Sequence, residues 1–485
     1  MSLKLLGRNT LIYSIGTGAQ RAWSFLLIPL YVRSFSMAEY GLLSILLLTV
    51  QIMAVLMGMW IRDTYIRFSA EFEANNRIGH LLGTSILMIV VAGALVTIFA
   101  ISIPTSLYQG FLRSTDIRFF ILLCGLIAIA QSLSAQIMGY FQGRNEAIKY
   151  MAFSLLSGVL VLGLSVVFLK VVDLGISGAL YAQLFAYAAV FGVVATVVLV
   201  KTGVAVSRAL ALRILRFGAP LIVFMISAFM MESSSAYFLG YYSGYEQVAI
   251  YTLGYKFASI TTMLLVLPFQ LSSPPYIYAN IASSDMKQQV AKMLTYFALI
   301  SAFVILGILI ASRLLLPLIA PPGYSSAFVV ILLLSPAFAF YGLHVMGQTL
   351  LHINNKTYIT GSVAVGFMIF NVVLNLVLIP RYGIYGSVAS TALSFVLTGL
   401  TMLMLGRREY SVPLEAKRLI VSVGVLLSFC VALFLMRNIG SVLFSILSIA
   451  GACATVLILF MAHFFDDQET RVMKTVIRRL NSCLL

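Results

Sequence analysis

Long apolar segments separated by short polar loops recur along the chain from its first residues to position 464. Each segment is long enough for an α-helix to cross a hydrocarbon core of about 30 Å, which takes about 20 residues. We therefore predict an all-α, polytopic membrane protein with no soluble domain between its spans. The pattern predicts fourteen transmembrane spans, at residues 9–32, 38–61, 80–104, 117–141, 148–170, 174–200, 214–241, 247–272, 290–318, 325–351, 357–379, 383–406, 416–436 and 439–464.

The composition agrees with this interpretation. Of the 485 residues, 61% are hydrophobic and 9% are charged, and the mean hydropathy is +1.04. Soluble domains hold roughly 45–50% apolar and about 25% charged residues. The first apolar run ends without a small-residue cleavage site, so it resembles a retained span more than a removed signal peptide.

Lysine and arginine predict the orientation of the spans. If the N-terminus lies inside the cell, cytoplasmic segments hold 22 of the 31 basic residues and the opposite loops hold seven. This bias follows the positive-inside rule and favours an even number of spans with both termini cytoplasmic. Basic loops beside anionic lipid then explain the net charge of +16 without a nucleic-acid partner.

The cysteines and the tail add little chemistry. Cys124, Cys430, Cys453 and Cys483 form no Cys-x-x-Cys pair and have no histidine partner, so we expect neither a disulfide nor a metal site. Residues 465–485 place apolar and basic positions on different sides of a helix, which predicts an amphipathic tail along the cytoplasmic leaflet. The alternative is a solvated basic end.

The sequence contains an internal repeat. An offset of 208 pairs Gly158 with Gly366, and an offset of 211 nearer the start of each half pairs Ser24 with Ser235. Spans 1–6 thus correspond to spans 7–12, and the even number makes the repeat parallel. Parallel repeats of this kind hold a transported substrate near the membrane midplane. The predicted domains are an N-lobe at 1–208, a C-lobe at 209–408, spans 13–14 at 409–464 and the tail at 465–485.

Three charged residues lie well inside predicted spans. Arg21 of span 1 corresponds by the offset of 211 to Glu232 of span 7, and Lys256 lies in span 8. A charge at a helix centre costs on the order of 3 kcal/mol, so it normally faces a partner or a watery cavity. One reading is a buried network that only holds the helices together. The other is a cavity with net positive charge, in which Arg21 binds a phosphate or pyrophosphate headgroup.

The cytoplasmic end of span 2 carries a charged motif, IRDTYIRF. Asp63 and Arg67 stand four residues apart on one helical face, which predicts an ion pair that orients the arginine. Arg62 and Arg67 are candidates for steering an anion into the cavity. The alternative is ordinary positive-inside flanking charge.

Three further polar residues lie inside spans. Asn371 and Asn375 face the same side of span 11, either as interhelical hydrogen-bond donors and acceptors or as part of a cation site completed by Glu232. Such a site would take sodium or a proton as coupling ion. His344 is a candidate titrating group or a packing histidine.

Four stretches carry a family resemblance: the opening RNTLIYSIG, the hairpin LLIPLYVRSFSMAEYGLLSI, the RDTYIRF motif and the repeated GIxG elements. With them, the chain resembles the Wzx-type oligosaccharide flippases. These form the polysaccharide transporter branch of the multidrug, oligosaccharidyl-lipid and polysaccharide (MOP) exporter superfamily. The resemblance covers essentially the whole chain, including the twelve-plus-two helix count.

The resemblance implies two six-helix lobes in a V shape around a cationic cavity, in a bacterial inner membrane. It implies transfer of undecaprenyl-pyrophosphate-linked oligosaccharide to the periplasmic leaflet by alternating access, for O-antigen, capsule or exopolysaccharide assembly. A polysaccharide polymerase and a chain-length regulator are candidate partners, and no cofactor is expected. Related lipid II flippases use cavity arginines in span 1, which matches Arg21, and some relatives bind a cation between spans 7, 11 and 12. Glu232, Asn371, Asn375 and Thr391 would imitate that site, although spans 11 and 12 lack a second carboxylate.

Three rival functions stay open. A multidrug exporter of the same superfamily would favour carboxylates in the cavity, whereas basic residues outnumber acidic ones here. A membrane enzyme that acts on lipid-linked glycans would need a large periplasmic loop, which the segmentation does not contain. A scaffold would predict that Arg21→Ala leaves function intact. We expect no covalent catalysis.

Overall fold

The computed structural model describes Gly16, Gly18 and residues 23–108, 116–436, 439–461 and 464. Within this part the chain is all-α, with 13 helices that are long and apolar enough to cross a membrane. Predicted span 1 lies partly outside the described residues, and its described part, residues 23–34, is helical. The predicted fold class, an all-α polytopic membrane protein, is confirmed.

The membrane helices follow the predicted order. We label residues 23–34 as α1, and the helices that follow it are numbered in chain order. They are α2 Met37–Ala74, α3 Ile78–Ser102, α4 Ile117–Gly143, α5 Ala147–Val171, α6 Gly175–Thr202, α7 Arg208–Ser243, α8 Tyr245–Ala279, α9 Met286–Ile319, α10 Pro322–Ile353, α11 Thr357–Tyr382, α12 Ile384–Glu409, α13 Ala416–Leu435 and α14 Val442–Leu459.

Local sequence signals set several helix ends. Ser36 caps α2 with a capping box, because its hydroxyl accepts from the Glu39 amide while the Glu39 carboxylate accepts from the Ser36 amide. Asn76 and Asn145, which follow α2 and α4, adopt φ values of 52° and 58°. Asn tolerates this left-handed conformation better than most residues, so both positions stop a helix and start a tight turn.

Helix α2 is longer than its apolar segment. The predicted span ends at residue 61, but the helix continues to Ala74 through the polar sequence that contains Arg62, Asp63 and Arg67. A π-helical turn at Val55–Met59 interrupts it before this extension. Such turns widen the helix locally and occur frequently at functional sites. The sequence window missed the extension because it measured hydrophobicity and not helix propensity.

The chain forms two compact units. Unit 1 comprises Met1–Lys256, Leu318–Val330 and Lys356–Thr398, and unit 2 comprises Phe257–Pro317, Ile331–Asn355 and Gly399–Leu485. The predicted lobes at 1–208 and 209–408 and the appendage at 409–464 stay predictions. The predicted tail at 465–485 lies outside the described residues.

Each unit has its own apolar core. In unit 1, buried Trp60, Ile137, Tyr150 and Ile214 pack together from α2, α4, α5 and α7. In unit 2, a core cluster includes Ile277, Met286, Leu294, Met346 and Val412. The core of unit 1 lies beside the polar cavity described next.

Candidate functional site: a polar cavity within unit 1

Unit 1 contains a cavity of about 530 Å³, lined by residues of α1, α2, α4, α5, α6 and α8. Small-molecule sites in proteins typically measure about 300–1,000 Å³, so the cavity can hold one such ligand. Its lining combines apolar residues with many polar ones. The uncharged polar and aromatic side chains include Trp23, Ser44, Gln51, Gln131, Ser132, Tyr150, Phe153, Ser157, Gln183 and Tyr187.

Two cations line the cavity, Arg62 from α2 and Lys256 from α8, and no carboxylate stands among its described lining residues. The Nη2 atom of Arg62 donates to Gln142 Oε1 at 2.9 Å. Its Nε is buried and has no hydrogen-bond partner within the part of the chain that the structure describes. Arg62 therefore keeps unused donor capacity in a site of net positive charge, which favours an anionic ligand.

The two cations occupy different places along the cavity. Lys256 Nζ lies 5.9 Å from the centroid of the Tyr40 ring, near the start of α2. Tyr40 and Arg62 are 22 positions apart on this helix, about 33 Å at 1.5 Å per residue. Arg62 and Lys256 are therefore placed to contact an anion at different points, and not together.

Uncharged polar atoms of the lining also lack partners. The indole Nε1 of Trp23, Oε1 of Gln131 and Oγ of Ser132 are buried without a hydrogen bond to any described residue. The Trp23 indole is seated directly against Gly158 of α5, where a Cβ would collide with the ring. Buried polar atoms are normally paired, so these three indicate a place for a polar ligand or water.

Arg21, the residue on which the sequence prediction rests most, lies outside the described residues. Arg67 and Asp63 are exposed on α2 and do not appear among the residues that line the cavity. The ion pair predicted between them is absent from the described ion pairs. Two described ion pairs in this region involve other residues of α2. Glu73 pairs with Arg144 at 3.2 Å, and Glu71 pairs with Arg213 of α7 at 2.7 and 2.8 Å.

Asn371 and Asn375 of α11 are fully buried and fully hydrogen-bonded. Asn371 accepts from Ser234 at 2.7 Å and donates to Ser394 at 2.9 Å, while Asn375 accepts from Ser235 at 2.9 Å. Further bonds link the two amides to each other, Asn371 to the Ser390 carbonyl, and Asn375 to the hydroxyls of Ser234 and Ser390. Every donor and acceptor of both amides is used, which is the geometry of interhelical hydrogen bonding.

The remaining predicted residues lie apart from the cavity lining. Glu232 is exposed on α7 beside the buried Ser233, and its carboxylate interacts electrostatically with the Tyr255 phenol. Thr391 bonds Ser235 and so belongs to the hydrogen-bonded group around Asn375. His344 is buried in unit 2 and stacks on Tyr341 with ring centroids 5.1 Å apart. The proposed sodium site at Glu232, Asn371 and Asn375 stays a prediction.

Sequence reasoning missed most of the uncharged lining. A signal was present in span 4, where the run QSLSAQ brings Gln131, Ser132 and Ser134 into an apolar helix. Trp23 gave no such signal, because an aromatic residue in a membrane span is ordinary. Its importance depends on Gly158, more than a hundred positions away, which only the fold brings to it.

A family model described as polysaccharide biosynthesis protein matches residues 6–281, more than half of the chain. No curated protein matches the sequence. Solved structures of transporters do match the fold. The lipid II flippase MurJ, in an inward closed conformation, is 12% identical over 93% of this chain and 99% of its own, with a TM-score of 0.73.

Two other similar structures are named as transporters. A mutant of the Vibrio cholerae MATE transporter VcmN is 16% identical over 84% of this chain and 96% of its own, with a TM-score of 0.59. A MOP superfamily transporter from Pyrococcus furiosus is 15% identical over 84% and 95% of the two chains, with a TM-score of 0.53. At these identities the likeness shows the fold alone.

Proposed function

Because the chain belongs to the polysaccharide biosynthesis protein family, we propose that it is a flippase for lipid-linked oligosaccharide. The cargo is undecaprenyl-pyrophosphate-linked oligosaccharide, moved from the cytoplasmic to the periplasmic leaflet of a bacterial inner membrane. The product would supply O-antigen, capsule or exopolysaccharide assembly, with a polymerase and a chain-length regulator as candidate partners. The excess of basic residues in predicted cytoplasmic segments supports cytoplasmic termini.

The observation that carries this proposal is the lining of the unit 1 cavity, with Arg62 and Lys256 and no carboxylate among its described residues. Pyrophosphate is an anion that guanidinium binds with two parallel hydrogen bonds, and ammonium binds it as a point charge. The amides and hydroxyls around the two cations match the hydroxyl groups of sugars. The fold shared with MurJ, which is named a lipid II flippase, supports the same class of cargo.

The mechanism that we propose is alternating access between the two repeats. Arg62, near the cytoplasmic end of the apolar part of α2, receives the pyrophosphate, and Arg21 and Lys256 hold it further along the path. The prenyl tail stays in lipid throughout. The barrier to transfer is dehydration of the sugar hydroxyls and phosphate charges, and a polar cavity lowers it by replacing water. No covalent step is required.

The energy source is a separate proposal. The membrane potential acts on any charge that crosses the bilayer, worth about 2.3 kcal/mol per charge per 100 mV, so it can drive a charged cargo or a moving cation. Proton or sodium coupling is the alternative. Sodium at Asn371 and Asn375 would have to displace hydrogen bonds that already use both side-chain oxygens.

Reconstitution in liposomes tests the proposed function. Leaflet transfer of the lipid-linked oligosaccharide is measured for the intact protein, for Arg62→Gln and Lys256→Gln, and for Lys170→Gln as control. Lys170 is an exposed cation of α5 outside the cavity lining, so the control removes the same charge. We expect transfer by the intact protein and by the control, and at least tenfold slower transfer by the two cavity variants. Absence of transfer by the intact protein contradicts the proposal.

A multidrug or cation antiporter is the second candidate, because the MATE transporter VcmN shares the fold. Such a protein would move cationic dyes across the same liposomes. The cavity argues against it, since a cationic drug would meet Arg62 and Lys256 without a carboxylate among the described lining residues. Dye transport without lipid transfer would favour the antiporter. A scaffold or an enzyme for lipid-linked glycans would show neither activity.

A further inference from the structure

We infer that the unit 1 cavity contains a binding site for a sugar ring, separate from the cations that hold pyrophosphate. Its residues are Trp23, Gln131 and Ser132, which we call the sugar subsite. The inference rests on the proposed function and deepens it, because it divides the cargo between two kinds of lining. Cations take the phosphates, and the uncharged residues recognise the glycan.

The unpartnered atoms of the subsite indicate the chemistry of its ligand. Trp23 Nε1 is a donor, Gln131 Oε1 is an acceptor and Ser132 Oγ can act as either. A sugar hydroxyl both donates and accepts, so the hydroxyl groups of a glycan can pair with each of these three kinds of atom. Pyrophosphate oxygens accept, and they have no proton to give to Gln131 Oε1 when the group is ionised. The acceptor therefore distinguishes a sugar from the pyrophosphate that bears it.

The subsite is positioned by close packing. Trp23 Nε1 and Cδ1 lie against Gly158, so the indole packs on α5 at a position where a larger residue would not fit. On the other side, Ser132 packs against Gly58 of the π-helical turn in α2, where a Cβ would lie 2.6 Å from Ser132 Cβ. Gly158 and Gly58 thus fix the positions of the Trp23 indole and the Ser132 hydroxyl. Side chains that are already held in place lose less conformational freedom when a ligand binds.

The two tryptophans of the chain, Trp23 and Trp60, allow a direct measurement. In a Trp60→Phe variant, Trp23 is the sole tryptophan, so its fluorescence reports the subsite. Trp60 lies in the core of unit 1 and donates to the Leu56 carbonyl, outside the cavity lining. The probes are the native lipid-linked oligosaccharide, the oligosaccharide released from it by mild acid, undecaprenyl pyrophosphate without sugar, and inorganic pyrophosphate.

We expect the released oligosaccharide to change Trp23 fluorescence in a saturable way, with the full-length protein in nanodiscs. Inorganic pyrophosphate should neither reproduce this change nor compete with it. In Gln131→Leu, affinity for the lipid-linked oligosaccharide should fall about three- to tenfold, the loss expected for one uncharged hydrogen bond. Affinity for the sugar-free lipid should stay unchanged.

A glycine pair provides the matched control. Gly158→Ala displaces the indole and should weaken sugar binding, whereas Gly163→Ala on the same helix meets open space and should not. Folding of each variant is checked by its melting temperature in detergent. Since Gly163 lies five residues from Gly158, both variants carry the same change in helix propensity.

Three results would overturn the inference. They are no effect of the released oligosaccharide on Trp23, equal weakening of both lipids by Gln131→Leu, and competition by pyrophosphate at the tryptophan. Failure of the proposed function looks different, because the intact protein would then transfer no lipid-linked oligosaccharide in liposomes. Binding of the released oligosaccharide at Trp23 can still be measured in that case, so the two failures are distinguishable.

Discussion

At the scale of single residues, the cavity depends on how one guanidinium is held. Arg62 donates to Gln142 at 2.9 Å, and a Cβ on Gly139 would come within 2.9 Å of its Cγ. Glycine at 139 and the amide at 142 thus set the direction of the side chain from two successive turns of α4. An arginine held this way loses less rotamer freedom when it binds an anion.

Replacing Gln142 tests whether its amide positions Arg62 for binding. Gln142→Leu leaves a charged donor without its acceptor, and hydrogen bonds to charged groups contribute about 1.5–3 kcal/mol. We expect transfer of the lipid-linked oligosaccharide in liposomes to slow about tenfold, with Arg62 still present.

Gln136→Leu is the control for that experiment. Gln136 lies on the same helix, fully buried, and neither side-chain amide atom bonds a described residue. Removing an unsatisfied buried amide should leave transfer unchanged and raise the melting temperature in detergent. Equal slowing in both variants would mean that leucine perturbs α4 itself.

The sequence predicted Arg62 as a functional candidate because a charge beside a span is visible in one dimension. Gln142 was not predicted, since its role depends on a contact across 80 positions. The same limit applies to Trp23 and Gly158. Charge and hydrophobicity can be read from a single residue, whereas the orientation of a side chain depends on the residues that the fold packs around it.

At the scale of elements, α7 and α11 form a continuous polar contact inside an apolar environment. Ser234 and Ser235 of α7 meet Asn371 and Asn375 of α11, and Ser390 and Thr391 of α12 complete the group. The sequence predicted the two asparagines but not the serines, because serine is common in membrane helices and its hydroxyl often bonds its own helix. Nothing in the spacing of α7 and α12 specified that they would meet here.

One serine of this contact provides a stability test. Ser234→Ala removes a bond to Asn371 and a bond from Asn375, so two buried amide atoms lose a partner. We expect the free energy of unfolding to fall by about 1–2 kcal/mol, with a lower melting temperature in detergent.

Ser227→Ala, the control on α7, should change neither the free energy of unfolding nor the melting temperature. The Ser227 hydroxyl bonds the Val223 carbonyl of its own helix at 2.8 Å, and it has no interhelical bond to a residue that the structure describes. A similar loss in both variants would show that the interhelical bonds add nothing beyond serine itself.

At the scale of the whole molecule, α2 and α7 form one of the contacts between the two predicted sequence repeats within unit 1. About a third of the way along α2, the hydroxyls of Thr49 and Tyr237 lie 3.2 Å apart. Near its end, Glu71 and Arg213 form a two-pronged ion pair, and the guanidinium lies 4.4 Å from the Phe68 ring centroid. If the repeats rock during transport, one of these two contacts must open in each half of the cycle.

A reversible crosslink tests this requirement. In a background without the four native cysteines, Glu71→Cys and Arg213→Cys are bridged by a bismaleimide with a disulfide in its spacer. We expect the crosslink to stop lipid transfer and reductant to restore it. The ion pair itself is half-exposed and screened by solvent, so its loss alone should change stability little.

The control crosslink joins Arg67→Cys to Glu71→Cys, one turn apart on α2. It consumes the same reagent but connects no second helix, so transfer should continue. Transfer that persists with the 71–213 bridge in place would contradict rocking at this end of α2 and α7.

The order of the described spans was predictable from hydrophobicity alone, since the bilayer imposes a minimum length on every crossing helix. The association of α2 with α7 was not, because both are apolar on several faces and each could pack on many neighbours. Only particular small residues decide it, such as Gly218, where a Cβ would collide with Trp60.

The packing of Trp23 on Gly158 has no counterpart in the second repeat. By the offsets of 211 and 208, Trp23 and Gly158 correspond to Ser234 and Gly366 of the second repeat, and Asn371 corresponds to Gly163. The predicted repeat indicates a gene duplication that produced both pairs of helices. The first pair now borders the cavity, and the second pair is joined by buried hydrogen bonds. A tandem fusion of two first copies should therefore lack the internal brace and fail to assemble, even though every one of its helices would still insert.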